Sequence, residues 1–271
     1  MEASLAACLA VLPDEERKRV GQFRFRSDAL AALAGLMLPR AALCQELGVD
    51  VHDLEFHRTE IGRPYMTLRT GAPLVHDYNV SHHGEYILMA VSGQHRLGVD
   101  VTRIDTGRPT DTTPARDFLG YYDEQFSRSE WTWIWQGPSG LAAPNTRDPV
   151  SGLNPHAADF ELLKRFHCMW ALKEAYVKGV GCGIIIDLTD IVFTIRDDFG
   201  DEVVSTVNIW PKPLKVTLHI RGKLDTEWSF HVSLLDDFHI VCVASKPGVA
   251  EVGPIERIAW KDVLNKCAIK V

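Results

Sequence analysis

Residues 79–91, NVSHHGEYILMAV, return in altered form at residues 231–243 as HVSLLDDFHIVCV, and this echo leads to the expectation of a fold with two related halves. Val80 matches Val232, Ser81 matches Ser233, Tyr86 matches Phe238, Leu88 matches Ile240 and Val91 matches Val243, each time as a turn followed by an apolar, strand-like run. A helical segment precedes each copy. Arg26 to Leu47 is rich in Ala and Leu and predicts a long helix, interrupted near Pro39 and stopped at Gly48. Leu162 to Val180 predicts the equivalent helix, ended by Gly179, Gly181 and Gly183. Ile184 to Ile195, Val203 to Trp210, Leu214 to Ile220 and Trp228 to Ser233 alternate or are β-branched, as antiparallel strands would be.

The expected fold is therefore α+β: two related lobes about a pseudo-twofold, each a long helix on a small, mainly antiparallel sheet. The boundaries fall at 1–95 for the first lobe, 96–245 for the second and 246–271 for a C-terminal tail. Trp133 to Pro155, full of Gly, Pro and Asn, predicts a long loop, with Trp131, Trp133 and Trp135 packing it down or meeting a partner.

The chain's 271 residues and 46% apolar content suffice for well-buried cores. No apolar run is read as reaching the roughly 20 residues of a bilayer span, and no basic residue precedes the short apolar start, so neither a membrane nor a secretory destination is expected. Cys8, Cys44, Cys168, Cys182, Cys242 and Cys267 form no CxxC pair, which argues against a zinc knuckle or a disulfide framework and for a reducing, cytoplasmic setting. A formal net charge of −7 disfavours a nucleic-acid binder.

Chemistry concentrates at Trp170 to Gly181, WALKEAYVKGVG, where Glu174 stands between Lys173 and Lys178 on a helix ending in glycine. A Glu with Lys four residues on is also an ordinary surface pair worth roughly 0.2–0.5 kcal/mol. Two further segments bear on that reading. In Leu97 to Ile104, LGVDVTRI, alternation puts Gly98, Asp100 and Thr102 on one strand face, and Asp is depleted in strands. In Asn79 to Ser92, Ser81, His82 and His83 lead into an apolar run, the histidines being turn residues or ligands.

In their order NVSH, GVD and WxxKEAxxK, joined by ERKRVGQF around Arg19, RTEIGRP at Arg58 to Pro64 and FSRSEW at Phe126 to Trp131, these motifs resemble the 4′-phosphopantetheinyl transferases over most of the chain. The resemblance is to the two-lobed, monomeric kind that includes enzymes of the aminoadipate pathway. It implies transfer of the phosphopantetheine arm of coenzyme A to a serine of an apo carrier protein, with release of adenosine 3′,5′-bisphosphate. The implied partners are coenzyme A as co-substrate and a carrier domain of a fatty-acid synthase or an aminoadipate-type reductase.

The resemblance further implies Mg²⁺ held by Asp100 and Glu174, a pair that at about 4 Å would repel by about 4 kcal/mol at an effective dielectric of 20 without a cation between them. Thr102 stands where many bacterial members carry a further acid, so water or Glu130 is expected to complete the shell. Glu174 is the implied base, and Lys178 the charge near the phosphates. Lys173, about 100° round the helix from Glu174, is expected in solvent. Coenzyme A recognition is assigned to Arg19, to Arg58, Thr59, Gly62 and Arg63, and to Asn79, Val80, Ser81 and His82, with His83 facing solvent and Glu60 an acid that must point away from phosphate.

The family usually has a strand ahead of ERKRVGQF where this chain has about a dozen residues, and an absent strand would expose a sheet edge. Thr102 and Glu60 also leave open a non-catalytic module that binds coenzyme A and carrier proteins; a separate alternative is a metal-dependent phosphoesterase using Asp100, His82 and Glu174.

Overall fold

A computed structural model describes residues 2–71, 76–105, 115–137, 155–197, 205–247 and 252–267, side chains excepted at 2–4, 155–158 and 184. The chain divides into two compact units, Met1–Gln94 with Gly253–Val271, and His95–Val252. The first holds α1 (Glu2–Val11), α2 (Asp14–Gly21), α3 (Arg26–Leu47), β1 (Leu54–Arg58), β2 (Pro64–Leu68), β3 (Asp77–His83) and β4 (Tyr86–Ser92). The second runs through β5 (Arg96–Arg103), α4 (Ala115–Gly120), α5 (Arg128–Gln136), α6 (Pro155–Val180), β6 (Ile191–Arg196), β7 (Thr206–Asn208), β8 (Leu214–Ile220), β9 (Lys223–Asp225), β10 (Ser229–Leu234) and β11 (His239–Lys246). A last helix, α7 (Trp260–Lys266), returns to the first unit, where Val263, Leu264 and Cys267 are buried in the same core as α3. The architecture is α+β.

In the first unit α3 is the central helix, with Leu33, Met37, Ala41 and Leu43 fully buried. The interruption expected at Pro39 does not occur, and the helix runs straight through it. A proline ring clashes with the carbonyl four residues earlier and withdraws a donor. Here that residue is Gly35, and the neighbouring Leu36 carbonyl accepts from the guanidinium of Arg40 at 2.8 Å. Arg40, itself buried, also pairs with Glu16 at 2.7 Å and lies over the Phe56 ring. Gly48 does end the helix, in the left-handed conformation at φ 65°. By length and mean hydropathy (22 residues, 1.3) α3 also passes the measure of a membrane span, contrary to the sequence expectation, although its apolar face forms the core of this unit. The residues where a leading strand was looked for form α1, whose Cys8 is buried in that core.

The two copies of the sequence echo both fold as antiparallel hairpins, β3–β4 and β10–β11. Their settings differ. Among the described residues β1–β2 and β3–β4 are two-stranded, whereas the second unit has one seven-stranded sheet in the order β5-β11-β10-β7-β8-β6, with β9 on β8. That sheet is antiparallel apart from the β10–β7 pair. The expected strand from Ile184 begins only at Ile191, after two short 3₁₀ turns. The expected loop from Trp133 is helical to Gln136 and capped by Gly137, residues 138–154 lie outside the described residues, and Trp131 and Trp133 pack on Phe126 and Trp210.

The apolar face of α6 packs on this sheet, with Phe166, Met169, Leu172 and Ala175 buried against Phe193, Phe230 and Val232. Its contact with β5 is closer than side chains would allow. A Cβ on Gly98 would lie 1.9 Å from the Ala175 carbonyl oxygen and 2.5 Å from the Gly179 nitrogen, and one on Gly179 would meet the Trp228 ring at 2.8 Å. Only glycine lets the strand and helix backbones touch here. Gly98→Ala should therefore destabilise the protein by at least about 1–3 kcal/mol through overpacking. Urea unfolding tests this, and a midpoint equal to that of the natural protein would show that strand and helix separate without cost.

Candidate functional site

Alternation along β5 turns Arg96, Gly98, Asp100 and Thr102 to one face, and the contacts of that face are with α6. At Asp100, a buried carboxylate, Lys178 reaches across from α6 and donates to Oδ1 at 2.6 Å. Glu174 lies one turn before Lys178. Burial raises its pKa above the ordinary glutamate value, the charge of Asp100 raises it further, and Lys178 pulls it back. The strand brings one carboxylate to a helix that supplies a second carboxylate and an ammonium, so Asp100, Glu174 and Lys178 form one centre. The ammonium is shared with Asp100, so the bland alternative of a solvated Glu–Lys pair does not describe it.

Two of the expected roles are corrected. Lys173 is not in solvent but fully buried. The 100° rotation that separates it from Glu174 carries it inward. Its ammonium donates to the carbonyls of Leu188 and Ile191 at 2.7 and 2.5 Å, pairs with Glu130 at 3.0 Å and lies over the Phe126 ring. Burial lowers its pKa, against the pull of Glu130. Glu130 is for the same reason withdrawn from the expected metal shell. One of its oxygens accepts from the Ser127 N–H at 2.8 Å, closing a capping box at the start of α5, and the other accepts from the Phe193 N–H at 3.0 Å. A carboxylate with backbone donors on both oxygens and a buried lysine beside it is already satisfied.

Thr102, in the position of the missing acid, is buried 3.0 Å from Nδ1 of His167, whose Nε2 donates to the Asp105 carbonyl at 2.7 Å. With Nε2–H committed to a carbonyl, a neutral ring leaves Nδ1 to accept from the threonine hydroxyl. The position is thus filled by a side-chain hydrogen bond to a histidine. Among the described residues there is no group of three or more His, Cys, Asp or Glu able to hold a metal, which leaves Asp100 and Glu174 as a two-carboxylate set.

The residues expected to recognise coenzyme A belong to the first unit and do not form one cluster there. Arg19 is exposed near the end of α2. In the β1–β2 turn, Thr59 Oγ1 accepts from the Arg63 N–H at 3.0 Å, and Arg58 donates to the Gly62 carbonyl at 2.7 Å. Arg63 is not free for phosphate: it grips Asp77 with two bonds, at 2.9 and 2.5 Å, so its charge is matched by the first residue of β3. Glu60 is exposed. Along β3, Asn79 and Ser81 are buried, Val80 lies against α3 opposite Gly35, and His82 is exposed while His83 is the half-buried one, reversing the expected order.

The family model for the N-terminal part of 4′-phosphopantetheinyl transferases matches residues 1–94, and that of the 4′-phosphopantetheinyl transferase superfamily matches residues 96–243. The chain belongs to this superfamily. It is 32% identical to a phosphopantetheinyl transferase of Thraustochytrium sp. over 96% of its own length and 79% of the relative's. It is also similar to the L-aminoadipate-semialdehyde dehydrogenase-phosphopantetheinyl transferases of Xenopus laevis (27% identical, 90% of this chain and 71% of the relative) and Homo sapiens (26%, 89% and 68%). As a phosphopantetheinyl transferase it moves the 4′-phosphopantetheine arm of coenzyme A to a carrier protein.

Sequence reasoning passed over Arg96 and His167 in this transferase. Arg96 has the two-residue spacing of Gly98 and Asp100, and His167 precedes Glu174 by two helical turns, so both periodicities pointed to them.

Two outcomes follow from these contacts. Glu130→Ala leaves the Lys173 ammonium buried without its partner and should cost about 3–5 kcal/mol of stability. Chemical denaturation reads it, and a loss below about 1 kcal/mol would mean that the two carbonyls suffice for Lys173. Because Asp100 raises the pKa of Glu174, Asp100→Asn should lower it. Carboxyl-carbon NMR on the metal-free protein would follow this. A carboxyl raised above its unfolded value holds its proton more tightly when folded, so its stability contribution falls as pH rises past the unfolded pKa, and that fall should shrink in the variant.

Proposed function

We propose that Asp100, Glu174 and Lys178 carry out the transfer in the second unit, with Mg²⁺ as the metal and a carrier domain of an aminoadipate-type reductase or a fatty-acid synthase as the acceptor. The single observation that supports this best is the 2.6 Å ion pair by which Lys178 of α6 reaches the buried Asp100 of β5, with Glu174 one turn before the lysine on the same helix. Two hard carboxylates that repel one another suit a divalent cation that keeps several positions for water and phosphate oxygens. When bound, such a cation would neutralise the pyrophosphate and polarise it for displacement. Asp100 and Glu174 would hold it.

The serine hydroxyl of the carrier attacks the phosphorus that bears the pantetheine arm, a new phosphoester forms, and the pyrophosphate bond breaks to release adenosine 3′,5′-bisphosphate. The hydroxyl proton passes to the Glu174 carboxylate. The Lys178 ammonium, half-buried beside Asp100, offsets negative charge on the transferring phosphoryl group. Arg19, Arg58 and His82, all exposed, are the side chains we assign to the phosphates of coenzyme A, with Thr59, Gly62, Asn79, Val80 and Ser81 shaping their strands and turn. Arg63 holds the turn to β3 through Asp77.

The aminoadipate-type carrier is suggested by the names of the vertebrate relatives. All three reacting side chains come from one unit of one chain, which supports a monomer, and six cysteines present as free thiols suit the cytoplasm.

Intact-mass analysis of an apo carrier domain incubated with the protein and coenzyme A tests this. A phosphopantetheine-sized gain that requires Mg²⁺ and is lost in Glu174→Gln is the expected result. Full turnover by Glu174→Gln would remove Glu174 from the role of base.

A further inference from the structure

We propose that Arg96 is a positioning residue for the Asp100, Glu174 and Lys178 centre, holding the last turn of α6 at the rotation that turns Lys178 and Glu174 to the strand. The inference rests on the function proposed above for those three residues. Arg96 Nε donates to the Gly179 carbonyl at 2.8 Å, and Nη2 donates to the Val180 carbonyl. Both carbonyls lie in the final turn, where the helix itself supplies no partner, and a cation there also meets the negative end of the helix dipole. Gly179 directly follows Lys178 in the chain, so the two bonds fix the backbone next to the lysine that pairs with Asp100.

The need for such an anchor follows from Gly98. Between Arg96 and Asp100 the strand meets the helix with bare backbone, since a Cβ at Gly98 would overlap Ala175 and Gly179. A bare contact sets how closely the helix approaches but leaves its roll weakly determined. Lys173, held by Glu130 and two carbonyls, limits roll from the opposite face of α6, and on the strand side roll is fixed by the residues flanking the bare contact. Thr102 meets His167 toward the start of α6, and Arg96 holds its end. A 10° roll moves a group at the ~5–6 Å outer radius of a helix by roughly 1 Å. Misplacement by that distance costs about 100-fold in rate.

The test uses Arg96→Ala and Arg96→Lys in the full chain, with kcat and KM for coenzyme A, Mn²⁺ affinity by electron paramagnetic resonance and the folded fraction by circular dichroism. Arg96→Ala should lower kcat about tenfold with KM for coenzyme A within about twofold, part of the 100-fold expected of a 1 Å displacement. It should also weaken Mn²⁺ binding several-fold while the protein stays folded at the assay temperature. Arg96→Lys, which keeps a cation and fewer donors, should recover part of both. Unchanged kcat and Mn²⁺ affinity in Arg96→Ala would overturn the proposal, as would losses in both variants that merely follow the folded fraction. Failure of the natural protein to modify any carrier would instead overturn the proposed function, and the Mn²⁺ comparison would still decide the role of Arg96.

Discussion

The second unit is organised by the point at which the backbone of β5 meets the backbone of α6. Gly98 against Ala175 and Gly179 brings a strand closer to a helix than any side chain permits, and the residues on either side of that point inherit their geometry from it. One step along the strand, Asp100 comes within reach of Lys178 and within electrostatic range of Glu174. A step further, Thr102 meets His167. The chemistry is therefore a by-product of a packing distance: had position 98 carried a Cβ, the same carboxylates would stand farther apart and the repulsion that raises the Glu174 pKa would weaken.

A second constraint works from the opposite face of α6. Lys173, buried with Glu130, two carbonyls and an aromatic ring, ties the helix to the start of α5 and to the approach to β6. Burying an ion pair gains little over packed apolar groups and is costly to break. Its physical value here is directional. The ammonium and the carboxylate have to meet several backbone groups at once, so they select one rotation of α6 where an apolar contact would accept several. Adjacent residues in the sequence thus divide two duties, Lys173 pointing inward to the fold and Glu174 outward to the site.

Much of this was legible in the sequence. Helix α3 and its stop at Gly48 and strands β8, β10 and β11 follow from composition and periodicity, and the grouping of Asp100, Glu174 and Lys178 from the resemblance carried by the ordered motifs. What was not legible has a common physical cause. Glu130 and Lys173 are charged residues whose partners lie far away in sequence, and no local pattern distinguishes a buried pair from two solvated side chains. Pro39 predicts a break by a local rule, yet α3 runs on from Arg26 to Leu47, because the buried face of the helix on either side of the proline holds it in the core. Arg63 looks like a phosphate ligand until Asp77, fourteen residues on, is seen to hold it.

The order in which the strands pair has a consequence for how the protein is made. β5, the first strand of the second unit, lies beside β11, its last, with Asp100 opposite Cys242. The first unit likewise buries Val263 and Leu264 of α7 in its core. During synthesis the ribosome releases the N-terminal portion of each unit long before the strand or helix that closes it. Neither unit can close until the strand or helix that completes it has been made. Until β11 is made, β5 has no neighbour among the described strands of its sheet, and the strand that carries Asp100 is left without its ladder.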